Sequence, residues 1–238
     1  MKLSKRLETV ASMVTKGNRA ADVGCDHGFV PIFLVESGIS PLAVAADVRP
    51  GPLSRAKEHI KEHRLEEKIQ TRLSDGLANI KPGEADSLIM SGIGGILMMR
   101  LLQDEEHTAK SFKELFLSPQ SELFDLRRYL VSNGYLIEYE HMLCDEGKYY
   151  FIFHVLVKKD EREWSEEEYR YGKDICKDDM KTFLAYLERE ERQYEQILEK
   201  MKQAPENDRA AQRIAQLHQD ITCLKKRRQL VYDCGCFA

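Results

Sequence analysis

The chain has 238 residues, 42% hydrophobic and 32% charged, with 36 Lys and Arg against 40 Asp and Glu. This fits one full α/β domain plus a smaller appendage, and the net charge of −4 excludes a chain that is basic throughout. The longest mostly apolar uncharged stretch, Ser87 to Met99, contains three glycines and falls short of the roughly 20 residues a membrane-crossing helix needs.

Up to about residue 160, short apolar runs alternate with helical patterns, the signature of βα repeats on a mainly parallel sheet. Strands are expected at about Ala20–Val23, Leu42–Ala46, Gln70–Leu73, Ser87–Met90 and Leu115–Leu117. The intervening helices fall at about Val30–Ser37, Pro52–His63, Ile96–Leu102 and Glu122–Ser132. Tyr135–His141 and Tyr149–Val157 then read as two strands joined through Asp145-Glu-Gly-Lys148, an antiparallel hairpin closing the sheet. After Trp164 the pattern turns helical. Met180, Leu184, Leu187, Tyr194, Leu198 and Met201 mark one arm, and Ile214, Leu217, Ile221, Leu224 and Val231 a second. Ala204-Pro-Glu-Asn-Asp208 separates them. The expected appendage, residues 161–238, is an antiparallel coiled-coil hairpin with arms of roughly 40 Å, its seam interrupted by Glu191 and Arg228. It either docks on a partner or pairs only with itself.

The N-terminus is charged and amphipathic, without the apolar core of a secretory signal, so a cytoplasmic address is expected. Six cysteines, at 25, 144, 176, 223, 234 and 236, lack the density of a disulfide scaffold and read as thiols. Cys234-Gly-Cys236 reads as a tail segment rather than half of a metal site, and no metal is expected. Charge is unevenly distributed. Residues 1–20 carry Lys2, Lys5, Arg6, Lys16 and Arg19 against Glu8, and Lys225-Lys-Arg-Arg228 forms a second cluster, while acid concentrates at 160–206.

The segment Arg19-Ala-Ala-Asp-Val-Gly-Cys-Asp-His-Gly-Phe-Val-Pro-Ile32 places a glycine-containing turn where the first strand meets a helix, the position at which open α/β sheets bind nucleotides. A dinucleotide fingerprint requires glycines at 26 and 29, and the chain has Asp26 and Phe29. A carboxylate there repels a pyrophosphate but is compatible with S-adenosylmethionine, which carries a sulfonium and an ammonium. Asp47 ends the second strand, 23 positions after Gly24, where an acidic side chain accepts from ribose hydroxyls, and Asp75 follows the third strand. Three aspartates at the ends of three successive strands point to one site.

Leu3-Ser-Lys-Arg-Leu7, Asp22-Val-Gly-Cys-Asp-His-Gly28, Ala46-Asp-Val-Arg-Pro-Gly-Pro52, Ser74-Asp-Gly76, Met90-Ser-Gly-Ile-Gly-Gly95 and Leu117-Ser-Pro-Gln120 occur in that order. The series, with the terminal hairpin, resembles the bacterial tRNA (adenine-22-N1)-methyltransferase family. The resemblance implies a Rossmann-like class I S-adenosylmethionine-dependent enzyme, catalytic over residues 1–160, that methylates N1 of an adenosine in tRNA. Asp22, Gly24, Cys25, Gly28, Asp47, Val48, Ser74, Asp75, Gly76, Ser91 and Gly92 are then expected at the cofactor, and Asp26 and His27 at its boundary with the target base. Arg6, Gly94, Gly95, Pro119 and Tyr149 are expected on the substrate side, with Lys225, Lys226, Arg227 and Arg228 on tRNA phosphates.

The chemistry of the residues agrees with a ring nitrogen as target. The segment after the fourth strand lacks the Asn/Asp-Pro-Pro-aromatic pattern that binds exocyclic amines. N1 of adenine already presents an in-plane lone pair, leaving alignment and stabilisation of a cationic product as the main tasks. Asp26 either stabilises that cation or accepts from loop amides. His27 either orients the base, takes a proton or contacts phosphate, or is a structural hydrogen-bonder. One of Tyr149 and Tyr150 offers a ring to a base, or both serve the core. Two other readings share the fold: a small-molecule methyltransferase, and an inactive scaffold.

Overall fold

The computed structural model describes residues 3–175, 179–202 and 208–233. Cys176, Cys234, Cys236 and residues 204–207 of the expected helix breaker lie outside them. The chain divides into two compact units at Glu161/Arg162. No helix among the described residues is long and apolar enough to cross a membrane.

The first unit is built on seven strands: β1 (Ala20–Val23), β2 (Ala43–Asp47), β3 (Ile69–Leu73), β4 (Ser87–Ser91), β5 (Glu114–Ser118), β6 (Leu136–Asp145) and β7 (Lys148–Leu156). Their order is β3-β2-β1-β4-β5-β7-β6. The first five run parallel, and β7 enters antiparallel between β5 and β6. The β6–β7 hairpin turns at Glu146-Gly147, both with positive φ. Every residue of β1, β2 and β5 is buried, which explains why they read as continuous apolar runs rather than alternating ones.

Seven helices belong to this unit or begin the next: α1 (Lys5–Met13), α2 (Phe29–Glu36), α3 (Pro50–Glu62), α4 (Gly95–Asp104), α5 (Glu106–Ala109), α6 (Leu123–Ser132) and, in the second unit, α7 (Glu166–Tyr171). The sequence reading placed no helix at α1, whose polar composition masks it. Ser4 caps α1 by accepting from the Leu7 amide, and its apolar side, Val10 and Ala11, is fully buried against the sheet. α2 is apolar on nearly every side and tolerates Pro31 because that residue sits in its first turn.

A buried ion pair links α6 to the closing hairpin. Arg127 and Glu140 are both fully buried, with Arg127 Nε 3.0 Å from Glu140 Oε1 and Nη2 2.7 Å from Oε2. The guanidinium also lies over the rings of Phe153 and Phe151, at 5.0 and 5.4 Å.

In the second unit, α8 (Met180–Lys202) and α9 (Asp208–Asp233) pair antiparallel through Leu198, Leu217 and Ile221, with Tyr194, Met201 and Ile214 packed around them. At 1.5 Å per residue they run about 35 and 39 Å. The seam differs from expectation at Phe183, fully buried in place of Leu184. Glu191 and Arg228, which interrupt the apolar pattern, pair with each other. α7, capped by a reciprocal Ser165–Glu168 box, docks on α9 through Arg170–Asp220 at 2.8 Å. The unit therefore has more than a two-helix seam: the third helix brings Tyr171, whose hydroxyl donates to the Asp220 carbonyl.

Candidate active site

A cavity of about 940 Å³ opens at the carboxyl ends of β1 to β4, where the strand order reverses between β1 and β4. Its first wall is the turn after β1. The amides of Gly24 and Cys25 both donate to the Ala46 carbonyl, folding the chain sharply with φ +81° at Gly24. Asp26 follows with φ +48°, a left-handed conformation that non-glycine residues rarely adopt. That backbone requirement accounts for a glycine being common at this point in related turns. Here Asn and Asp are the least strained alternatives, and the Asp26 amide is anchored by donating to Asp47 Oδ2 at 3.2 Å.

Asp47 is buried, and its other oxygen accepts from the Arg49 amide at 2.9 Å. One carboxylate thus fixes both the β1 turn and the start of α3. The Asp26 side chain points outward, 58% exposed, with His27 Nε2 at 3.5 Å and Arg49 Nη2 at 3.9 Å. His27 stacks on Phe29, which stacks on His59, and the His59 ring nitrogen bonds the His27 carbonyl at 3.0 Å. Asp22 is buried at the inner wall and takes no hydrogen bond on its carboxylate from any described residue. Burial and then Asp47 push the Asp22 carboxyl up to about 7, opposed by Arg6. Burial, with Asp22, Asp47 and Asp26 nearby, pushes the Cys25 thiol far up, so Cys25 supplies no thiolate.

The cavity collects most of the expected cofactor residues: Asp22, Gly24, Cys25, Asp47, Val48, Ser74, Asp75, Gly76, Ser91 and Gly92, together with Asp26, His27 and Arg6. Ser74 contributes little beyond its backbone, because its hydroxyl donates to the Gly76 carbonyl and accepts from the Asn79 amide. Gly28 is absent from the lining. It caps α2 with φ +73°, and a Cβ there would sit 3.0 Å from Ala56 Cβ, so its role is packing of α2 on α3.

Several residues expected on the substrate side do not line the cavity. Gly94 and Gly95 face the loop after β5 rather than the cavity, and a Cβ on Gly95 would lie 2.6 Å from the Ser121 carbonyl. Pro119 is buried; the neighbouring Gln120 is exposed and lines the cavity. Tyr149 does not reach it either. Alternation along β7 puts Tyr150 instead beneath Arg6, its ring 5.4 Å from the guanidinium.

In the second unit, Lys225 and Arg228 both reach Glu191, Lys226 reaches Glu167 at 3.0 Å, and Arg227 donates to the Lys173 carbonyl. The cluster expected to face phosphate is tied into ion pairs of its own unit. Sequence reasoning also missed Arg49, Phe29, Leu97, Arg100 and Gln120 as lining residues. Arg49 and Gln120 stood inside the recognised motifs. Arg100 carried a positional signal only, lying one turn beyond the α4 N-terminus and reaching Asp75 at 3.3 Å.

Sheet order, strand-end carboxylates and a cavity at the switch point define a Rossmann-like methyltransferase. A family model for the methyltransferase domain matches residues 3–153. The tRNA (adenine(22)-N(1))-methyltransferase of Bacillus subtilis is 28% identical over 232 residues, covering 95% of this chain and 97% of that protein. The solved structure of Streptococcus pneumoniae Sp1610 in complex with S-adenosyl-L-methionine is 31% identical, covers 95% of this chain and all of that one, and superposes with a TM-score of 0.84. The structure of M. capricolum TrmK with S-adenosyl-homocysteine is 25% identical, covers 97% of this chain and 100% of that one, and has a TM-score of 0.84. This chain belongs to the methyltransferase family and, within it, to the bacterial tRNA (adenine-22-N1)-methyltransferases.

Proposed function

We propose that the chain transfers a methyl group from S-adenosylmethionine to N1 of adenosine 22 in tRNA. The observation that carries this reading is the acidic cavity at the switch point, with Asp22, Asp26, Asp47 and Asp75 on its walls. Of these, Asp75 pairs with Arg100 and Asp26 lies near Arg49, while the buried Asp22 and Asp47 keep the inner wall acidic, which disfavours a pyrophosphate and suits a ligand that carries cationic groups. Asp47 is the acceptor for the ribose hydroxyls, and the exposed apolar side chain of Val48, 56% accessible, offers a face to the adenine.

When bound, S-adenosylmethionine supplies a methyl group on a sulfonium: N1 attacks the methyl carbon, the C–S electron pair leaves with sulfur, and the positive charge passes to the methylated ring. No proton needs to be removed for this transfer. The chain's task is therefore alignment and charge stabilisation, and Asp26, outward-facing at the rim, presents its carboxylate to the developing cation. His27, held against Phe29 and His59, gives that rim a fixed shape. Incubation with methyl-labelled S-adenosylmethionine and total tRNA is expected to place label on N1 of adenosine. Label only in small molecules, or none, would favour the small-molecule or scaffold readings.

Cofactor binding has an expected pH dependence. Asp22 holds its proton up to about 7, and the ionised form is the one that meets a cationic ligand. Below about 7 the proton must be released on binding, so affinity falls as pH drops, by up to about tenfold per unit, and levels off above it. Asp47 from β2, Arg6 from α1 and the protonated Cys25 face the same group. Calorimetric titrations between pH 5.5 and 8.5 test this, with Asp22→Asn expected to flatten the profile.

For the helical unit we propose a tRNA-docking role, confined to the exposed lysines of the cluster. Lys225 and Lys226 are 53% and 64% exposed, although the carboxylates they meet, Glu191 and Glu167, are only 13% and 14% exposed, so a phosphate approaches the outer side of each ammonium while the ion pair stays in place. Lys225→Ala/Lys226→Ala is expected to weaken tRNA binding and lower the salt dependence by about two counterions, with cofactor affinity unaltered. An unchanged salt slope would remove these lysines from the interface.

A further inference from the structure

Gln120 stands on the cavity wall with a carboxamide that the fold does not use. Backbone bonds hold its loop: the Gly92 amide donates to the Ser118 carbonyl at 3.0 Å, the Gln120 amide to the Ile93 carbonyl at 3.0 Å and the Gly95 amide to the Ser121 carbonyl at 3.2 Å. Ser118 and Pro119 are buried. The loop after β5 is thus sewn to the loop after β4, and its first exposed residue, Gln120, faces the cavity. Its Nε2 lies beside Gly92, 3.7 Å from where a Cβ there would stand. The carboxamide makes no hydrogen bond to any described residue, which leaves an acceptor and two donors on a rigid loop. Sheet order separates this wall from the strand-end carboxylates. Asp47 ends β2, Asp75 follows β3, and Gln120 follows β5, three strand positions from β2, or about 14 Å at about 4.8 Å per strand. A nucleoside held at Asp47 therefore leaves Gln120 to the reactant on the far side of the transferred methyl group. Ile96 and Leu97, at the start of α4, are 64% and 37% exposed, and Leu97 joins Gln120 on the lining. An apolar surface beside a free amide suits a heterocycle taken out of its stack.

We propose that Gln120 is the residue that selects adenine, its Oε1 accepting from the N6 amino group and its Nε2 donating to N7. The assignment deepens the methyl-transfer reading and rests on it. The reaction itself dictates which edge of the base can be read. N1 has to keep its lone pair free and aimed at the methyl carbon, so no donor can hold the base there. N6 and N7 lie on the other edge, where a carboxamide matches them with two parallel hydrogen bonds and leaves N1 open. Guanine presents two acceptors, O6 and N7, so either orientation of the carboxamide sets an oxygen against one of them. Its N1 also carries a proton in place of the attacking lone pair.

The test uses tRNA whose target position carries adenosine, 7-deazaadenosine, which lacks the N7 acceptor, or purine riboside, which lacks the N6 amino group. Second-order rate constants for methylation are measured at saturating cofactor with the wild-type, Gln120→Glu and Gln120→Met chains. Dividing variant by wild type on each tRNA cancels the differing nucleophilicity of N1 in the three bases. With adenosine, both variants should be slower by on the order of 10- to 100-fold. With 7-deazaadenosine the Gln120→Glu loss should nearly vanish, because the carboxylate still accepts from N6 and no N7 lone pair opposes it. With purine riboside that loss should persist, and the Gln120→Met loss should shrink on both analogues. Calorimetric affinity for S-adenosyl-L-homocysteine should be unaltered in both variants. Losses of equal size on all three tRNAs, or losses traced to cofactor affinity, overturn the proposal. A wild-type chain that leaves the adenosine-bearing tRNA unmethylated overturns the methyl-transfer reading itself, a distinct result.

Discussion

Asp26→Asn is expected to bind S-adenosylmethionine nearly as well as the wild-type chain and to methylate tRNA on the order of 100-fold more slowly. Asparagine accepts the left-handed backbone at position 26, and the amide that donates to Asp47 is untouched, so the turn survives. What disappears is one negative charge at the rim where the methylated base acquires a positive one. In the proposed complex, tRNA covers this exposed carboxylate and strengthens its field, so the loss is expected to fall on kcat more than on KM. Single-turnover rates at saturating cofactor separate the two. Wild-type rates in the Asn variant would reduce Asp26 to an anchor for the loop.

The largest loss of stability is expected at Arg127→Met. It leaves Glu140 fully buried with its guanidinium partner gone, which costs about 3–5 kcal/mol. Arg127→Met/Glu140→Leu should recover most of that, because an apolar pair of similar size removes both charges together. The single tryptophan, Trp164, belongs to the helical unit, so its fluorescence is a poor monitor of this change. Amide exchange of β6 and β7 reports it directly. A double variant as unstable as the single one would show that the pair contributes more than the relief of an isolated charge.

Strand ends were legible because the fold's sidedness is written in simple terms: apolar runs for doubly covered strands, followed by Gly or Asp where the chain leaves the sheet. β1, β2, β4 and β5 were each placed within one or two residues for that reason. Side-chain destinations were harder. Gly24, with φ +81° on the lining, and Gly95, pressed against Ser121, read alike in the sequence and do different work. Tyr149 and Tyr150 were separable only by the register of β7 on β6, which no local pattern specifies. The pairing of the Lys225–Arg228 cluster was not legible, because its neutralising acids, Glu191 and Glu167, lie 34 to 59 residues away. α1 was missed because the features that make it a helix, Ser4 and two small buried residues, are inconspicuous beside its charges.

Arg6 from the first turn of the chain rests over Tyr150 from the final strand of the sheet. β7 also supplies the neighbour of β5, so β6, though made earlier, has no place in the sheet until β7 arrives. Completion of the sheet is therefore among the latest events of folding in this unit, and during synthesis it waits until about residue 156 has left the ribosome, although every residue that lines the cavity lies before β6. Nascent chains ending before β7 should leave the β5 edge unpaired and protease-sensitive, and those that include it should gain protection along that edge.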